Sequence, residues 1–482
     1  MLQKLKENKH YLILFLIALS AFFLLPITGP FQKLSVQFMV SDYFNFAKSM
    51  LQGNLLYVDL YDHKGIVLFL LYFIPVLISN TSYLGVFFVE GLVSIGVVLS
   101  CWRYCSYRYS KNTALIITSL TVLTLHVSFF QPMLNTEPIS LIIVFLLLRY
   151  IEDKSYLDYS KRAYILFGLA FSVVFWMKYS LVLTIFPFWL FICIESVKNK
   201  KLVMFIKRCF ISASVFGTIT AFIFGYFAYH NALNTMLNTY FGTIEPEFCL
   251  IKGHVIEITL TMLFLLGLLG IVFNWKKYKH EKFFFILFLL VYLLTNCLAS
   301  GPDAYTCSFM IFFLPMFLPD LLQIQKVKTL VLLLYLCSLV LTWTILYKVQ
   351  TKQEYTDIEQ IAKQYQITNE DILYLCEDAG FGVYFKEGFL YKYQWKPTRV
   401  SYDKNKECYE QTMTWLKNKD FPYVLVSKYD WEHEISEEML ESKHPLAMVI
   451  LMAKENYQPI ENISIYQGAI QNELYLCAPV TK

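Results

Sequence analysis

Over residues 1–347, apolar runs of roughly 15 to 20 residues alternate with short clusters of lysine and arginine. Few folds accept that pattern. A helix rises about 1.5 Å per residue, so about 20 apolar residues match the hydrocarbon thickness of a bilayer. Such a helix also satisfies its own backbone polar groups, which lipid cannot do. Charged residues make up 16% of the 482 positions, whereas a soluble chain carries about 25%. The reading is a polytopic α-helical membrane protein. The net charge of +4 is then a sum over separate clusters and supports no nucleic-acid partner.

The clusters also set the sidedness. The basic start MLQKLKENKH precedes an apolar run from Tyr11 to Ile27 with no small-residue cleavage site after it. This is read as a retained first span whose amino end is cytoplasmic. Residues 31–82 follow as a first outer loop with interfacial helices. Within it, Ile66–Ser79 is apolar but short of span length and interrupted by Pro75. If it crossed the bilayer, Arg103, Arg108 and Lys111 would face outward. If it lies in the interface, these residues and the clusters at Lys161/Arg162, Lys200/Lys201, Lys276/Lys277 and Lys326/Lys328 all face inward. The positive-inside rule selects the second arrangement.

The second span is then Tyr83–Cys101, and Ala163–Met177 and Tyr179–Val197 flank an outer turn at Lys178. The last spans are Ile258–Trp275, Phe283–Ser300, Phe309–Leu322 and Thr329–Tyr347. With Thr113–Phe130, Pro138–Ile151 and Cys209–His230 the count is about eleven, which leaves the carboxyl end outside.

From Lys348 the composition changes. EYTDIEQIAKQYQI and ECYEQTMTWLKNKD have helical periodicity, whereas DILYLC and PYVLVSK read as strands. The alternation predicts a small extracytoplasmic α/β domain over residues 348–482, beyond a transmembrane domain of residues 1–347. The eleven cysteines have no metal-type spacing. Cys376, Cys408 and Cys477 are the ones placed where pairing is conceivable. No cofactor is identified, and the need for a divalent metal stays open.

On this topology the outward polar groups form a short list. The loop SDYFNFAKSMLQGNLLYVDLYDHKG supplies Asp42, Asp59, Asp62, His63 and Lys64. QPMLNTEP supplies Asn135 and Glu137, the turn after the Ala163–Met177 span supplies Lys178, and GPDAYTCS supplies Asp303 and Tyr305. Carboxylates and cations at the outer interface, without a nucleotide loop, suit a sugar carried on a lipid phosphate. One carboxylate takes the proton from an acceptor hydroxyl, and a cation neutralises the departing phosphate. Direct displacement inverts the anomeric centre.

The sequence Asp42, Gly53, Tyr57-Val-Asp59 and Asp62-His-Lys64-Gly65 resembles the first outer loop of GT-C glycosyltransferases. More narrowly, it is similar to the bacterial branch of the family 39-like group, which includes protein mannosyltransferases and lipid A aminoarabinose transferases. Asn135-Thr136-Glu137-Pro138 is similar to that family's acidic turn after the third helix, and Ser300-Gly301 with Tyr305 resembles a later outer loop. The resemblance implies Asp42 as catalytic base, with Glu137 close by positioning donor or acceptor. It also implies a polyprenyl-phosphate-linked sugar as donor and an envelope glycan, lipid or protein as acceptor, in the cell membrane. Two features differ from the family: Asp42 has no acidic neighbour, and Asp303-Ala-Tyr305 lacks the histidine-tyrosine pair.

Each candidate has a plainer role beside this one. Ser41 or Asp42 could cap a surface helix, and Glu137 could answer a helix dipole. Asp59 and Asp62 could fold the loop, and Lys64 and Lys178 could reach for headgroups. Two other functions compete. A transporter or flippase of lipid-linked sugars needs charges at mid-membrane, for which Glu90 in the second span is the one suggestive residue. A polysaccharide polymerase or ligase would carry a large arginine-rich late outer loop, which this chain lacks.

Overall fold

The structure is a computed structural model that describes residues 2–24, 38–127, 134–242, 340, 358–376, 385, 406–432, 445–467 and 470–480. The described part is mostly helical, with one small sheet. Among the described residues up to 242 there are ten α-helices: α1 (Leu2–Leu24), α2 (Phe38–Leu51), α3 (Ile66–Ile78), α4 (Leu84–Arg108), α5 (Lys111–Val127), α6 (Thr136–Glu152), α7 (Lys161–Met177), α8 (Phe186–Lys198), α9 (Leu202–Tyr229) and α10 (Leu233–Gly242). Two of them, α4 and α9, are long and apolar enough to cross a bilayer, and Lys9–Phe23 and α3 are shorter apolar helices. About eleven spans are therefore not established among the described residues. Apart from Val340, the four spans expected from Ile258 onward lie outside those residues. The span expected at Tyr179–Val197 is a single 3₁₀ stretch, Tyr179–Thr184, followed by the 13-residue α8.

The expected short helix at Ile66–Ser79 is α3, whose 13 residues extend about 20 Å, less than the roughly 30 Å of a hydrocarbon core. Pro75 does not end it; the helix continues to Ile78. Here α4 comes very close. A Cβ on Gly85 would stand 2.1 Å from the Pro75 carbonyl oxygen, so only glycine permits the approach.

Polar groups gather at the two ends of the bundle. At one end Arg108 at the end of α4 pairs with Glu152 at the end of α6, and His10 of α1 bonds Asn112 of α5 at 2.8 Å. At the other end lie the start of α6, the end of α7 and the loop of residues 52–65. Two apolar cores separate these ends. One includes Val97, Tyr104, Leu148, Phe188 and Phe205. The second includes Phe44, Tyr57, Phe69, Tyr72, Trp176 and Tyr240, and holds α2, α3 and the loop against α7 and α10.

The loop is fastened at Gly65. Its N–H donates to the Met177 carbonyl at 2.9 Å, and a Cβ there would stand 1.9 Å from the Trp176 carbonyl oxygen. Gly65→Ala is therefore expected to push the loop off the end of α7 and destabilise the fold by about 2 kcal/mol or more. Thermal melting in detergent checks this; a melting temperature within about 1 °C of the wild type would contradict the close approach.

The carboxyl-terminal portion is the expected α/β type. Helix α11 (Ile358–Gln364) precedes β1 (Ile372–Tyr374), and α12 (Lys406–Asn418) precedes β2 (Tyr423–Ser427), which pairs parallel to β1. After α13 (Lys428–Glu432) and α14 (Pro445–Asn456), β3 (Tyr457–Gln467) and β4 (Ile470–Pro479) form an antiparallel pair not anticipated from periodicity. The strand order is β1-β2-β4-β3. Alternation along the strands sends Ile372, Tyr374 and Leu425 to one face with α11, and Leu373, Val424 and Val426 to the other with α12 and α14. Cys376 and Cys477 fall on opposite faces and form no disulfide.

Candidate functional site

The loop that ends at Gly65 is built by its own polar groups. The N–H of Leu55 donates to Asp59 Oδ2 at 2.6 Å, so this exposed carboxylate is engaged in closing the turn. Tyr57, at φ 71 and buried, donates its hydroxyl to the Lys64 carbonyl at 2.7 Å. The N–H of Lys64 donates to Asp62 Oδ1 at 2.7 Å, and His63 Nδ1 stands 3.7 Å from the same oxygen. The backbone of Asp62-His63-Lys64 is thus held on both sides, and the residue after it is fixed to Met177.

That fixing places the loop beside two other chain segments. Asn135 caps α6, its side chain accepting from the Thr136 N–H at 2.8 Å. Glu137 follows in the first turn, 2% exposed, and accepts from the Thr136 hydroxyl at 2.6 Å. Lys178 ends α7, where a cation suits the helix dipole, and its Nζ meets Glu137 Oε1 at 2.9 Å. The charge of Lys64 acts on Glu137 and Asp62, and that of Lys178 reaches His63. Five candidates, Asp62, His63, Lys64, Glu137 and Lys178, therefore converge from the loop, α6 and α7.

Burial governs the proton states within the loop. Desolvation raises Asp62 to about 6, against the opposing charge and N–H of Lys64. Crowding by the surrounding chain, then the charges of Lys64 and Lys178, hold His63 well below its usual value, so it is neutral at pH 7. Asp62 keeps its proton longer in the folded than in the unfolded chain. Its contribution to stability consequently falls as pH rises from about 4 to about 6, by about 3 kcal/mol, and is flat above. Asp62→Asn should remove this slope, which melting curves taken at pH 4, 5, 6 and 7 would reveal; an unaltered slope would assign the dependence to another group.

Asp42 lies elsewhere than its capping role requires. It is the fifth residue of α2, which begins at Phe38. Nor is α2 a surface helix, because Val40 to Ser49 are all buried. Ser41, Asp42, Asn45, Lys48 and Ser49 make a polar stripe inside the protein, with Asn45 Nδ2 3.4 Å from Ser41 Oγ and the Ser49 hydroxyl donating to the Asn45 carbonyl at 3.0 Å. The neighbouring Tyr43 ring packs against Tyr72 at 5.6 Å, and the Tyr72 hydroxyl donates to the Leu134 carbonyl at 2.9 Å. Through these two rings Asp42 is linked to the segment that presents Glu137.

Glu90 is fully buried, yet it is the seventh residue of α4, about 9 Å from the helix start. It is within electrostatic reach of Tyr72, so it belongs to the same end of the bundle rather than to its middle. Tyr72 was not singled out from sequence, and Tyr57 and Thr136 entered only as members of the two resembling motifs, with no role given to their hydroxyls. Their hydroxyls act on backbone and carboxylate groups distant in the chain or hidden by the local fold, and only the neighbouring Asp and Asn positions gave a signal. Tyr305 and Asp303 lie outside the described residues. Among the described residues, no group of three His, Cys, Asp or Glu side chains is arranged to hold a metal ion.

No protein-family model matches the chain, and no curated protein matches it. Among solved structures, an oligosaccharyltransferase from Archaeoglobus fulgidus, crystallised in complex with zinc and sulfate, aligns with 93% of this chain and 71% of that one. The two are 11% identical and the TM-score is 0.40, a similarity that assigns neither family nor reaction to this chain.

Proposed function

We propose that the chain is an integral-membrane glycosyltransferase that moves a sugar from a polyprenyl phosphate to an envelope acceptor on the outer face. The observation that carries the reading is the convergence of Lys64 and Lys178 beside buried Glu137 at one end of the bundle. In this reading an arriving phosphate takes up the ammonium groups that otherwise face Asp62 and Glu137. The site is at the end where α4 and α6 begin, opposite the Arg108–Glu152 pair, which agrees with an outward site and an inward basic end.

In the proposed step the acceptor hydroxyl attacks the anomeric carbon, a new C–O bond forms, and the bond to the phosphate oxygen breaks with inversion. Asp42 takes the hydroxyl proton. Lys64 and Lys178 neutralise the phosphate that leaves with the polyprenyl chain, and Glu137 holds Lys178 in position. In this reading His63, neutral and 42% exposed, donates a hydrogen bond to the sugar donor. Tyr305 and Asp59 are retained as donor-binding residues of this reading. The transporter alternative draws less support, since Glu90 sits near the helix start rather than at mid-membrane.

The test is transfer by the purified full chain in nanodiscs, with a panel of polyprenyl-phosphate sugars and released polyprenyl phosphate as readout. Donor-dependent release supports the reading. Donor that binds or crosses the bilayer without cleavage overturns it in favour of transport.

A further inference from the structure

The side chain of Lys48 takes no part in the proposed transfer. It is 2% exposed, on a helix whose other residues from Val40 to Ser49 are equally buried. An ammonium removed from water needs charge-stabilising partners, and an apolar residue of similar volume would fill the space without that need. Its Nζ donates to the Phe385 carbonyl at 2.7 Å and lies 4.7 Å from the centre of the Phe44 ring.

Phe385 belongs to the other portion of the protein. Its side chain packs in the sheet core with Ile372, Tyr374 and Leu425. One residue therefore has its ring anchored in the α/β unit and its carbonyl committed to α2, across 337 positions of sequence. Lys48 follows Asp42 on the same buried polar stripe, about 9 Å further along the helix. A hydrogen bond from a buried cation is directional. It holds in one relative placement of the two parts, whereas an apolar contact would tolerate sliding.

We infer that Lys48 is a positioning residue that couples docking of the carboxyl-terminal α/β unit to α2, and so to the setting of the Asp42 carboxylate. The coupling stands on the contact itself; its effect on turnover rests on the proposed role of Asp42.

The experiment is hydrogen exchange on the full chain in nanodiscs, with Lys48→Met and, on the other side of the contact, Phe385→Ala. The readings across the contact decide. Lys48→Met should speed exchange in β1, and Phe385→Ala should speed it in α2, each about tenfold, with α4 and α6 unchanged. An effect confined to the mutated side in both variants overturns the coupling. In the transfer assay both variants should lower kcat about tenfold with KM for the donor unchanged, because the donor-binding cations lie on other elements. An unchanged kcat despite the exchange effect overturns the influence on Asp42. If the wild type transfers no sugar, the transferase reading fails, and the exchange result still decides the coupling. Should Lys48→Met fail to fold, Phe385→Ala carries both readouts.

Discussion

Asp42→Asn is expected to fold normally and to lose sugar transfer by about 10³-fold, within the 10² to 10⁴ typical of removing a general base. The amide has the shape of the carboxylate it replaces but cannot take the acceptor proton. Stability should hold or rise, because Asp42 is 2% exposed and a neutral group is cheaper to bury than a carboxylate. The expected kinetic signature is a fall in kcat with little change in KM, together with loss of the rising acid limb of the pH profile. Melting in detergent and single-turnover transfer, measured on the same sample, check both halves. Turnover within about threefold of the wild type would remove Asp42 as base. Glu137 would then be tested first, and Glu90, the other buried carboxylate near Tyr72, second.

The second large effect concerns the Glu137–Lys178 pair. Lys178→Met leaves the Glu137 carboxylate buried opposite a methyl group and should lower stability by about 3 to 5 kcal/mol. Glu137→Gln combined with Lys178→Met removes both charges and should recover most of that loss. Transfer should stay reduced about 10²-fold in the double variant, because one of the two cations that neutralise the leaving phosphate is still missing. Chemical denaturation and transfer rate together separate the two roles. If the double variant regained both stability and turnover, the pair would be a structural bridge between α6 and α7 with no part in the chemistry.

The candidate site was partly legible in advance because chemistry-bearing residues stand out against an apolar background. Asp62-His63-Lys64, Glu137 and Lys178 are conspicuous because each is flanked by an apolar run. Their pairing was not legible. Nothing in the spacing of positions 137 and 178 says that the start of one helix meets the end of another. The same holds for Tyr72, an unremarkable tyrosine in an apolar run until its hydroxyl is seen on the Leu134 carbonyl. Asp42 was misjudged as a possible surface cap because amphipathic patterning reads polar residues as outward. In α2 the polar stripe faces other protein.

Local sequence determined the elements whose physics is local. The apolar run Ile66–Ser79 forms the short helix α3, the alternating patterns after Lys348 form α11, β1, α12 and β2, and Gly65 marked a tight approach once its neighbours were known. Periodicity and length suffice there because backbone hydrogen bonds and side-chain alternation act over a few residues. Tertiary structure alone decided the Glu137–Lys178 pair, the Lys48–Phe385 bond and the β3–β4 addition to the sheet. Each joins groups whose partnership depends on how preformed elements close over one another. Their energies are set by burial, a property that no residue has until the whole chain has packed.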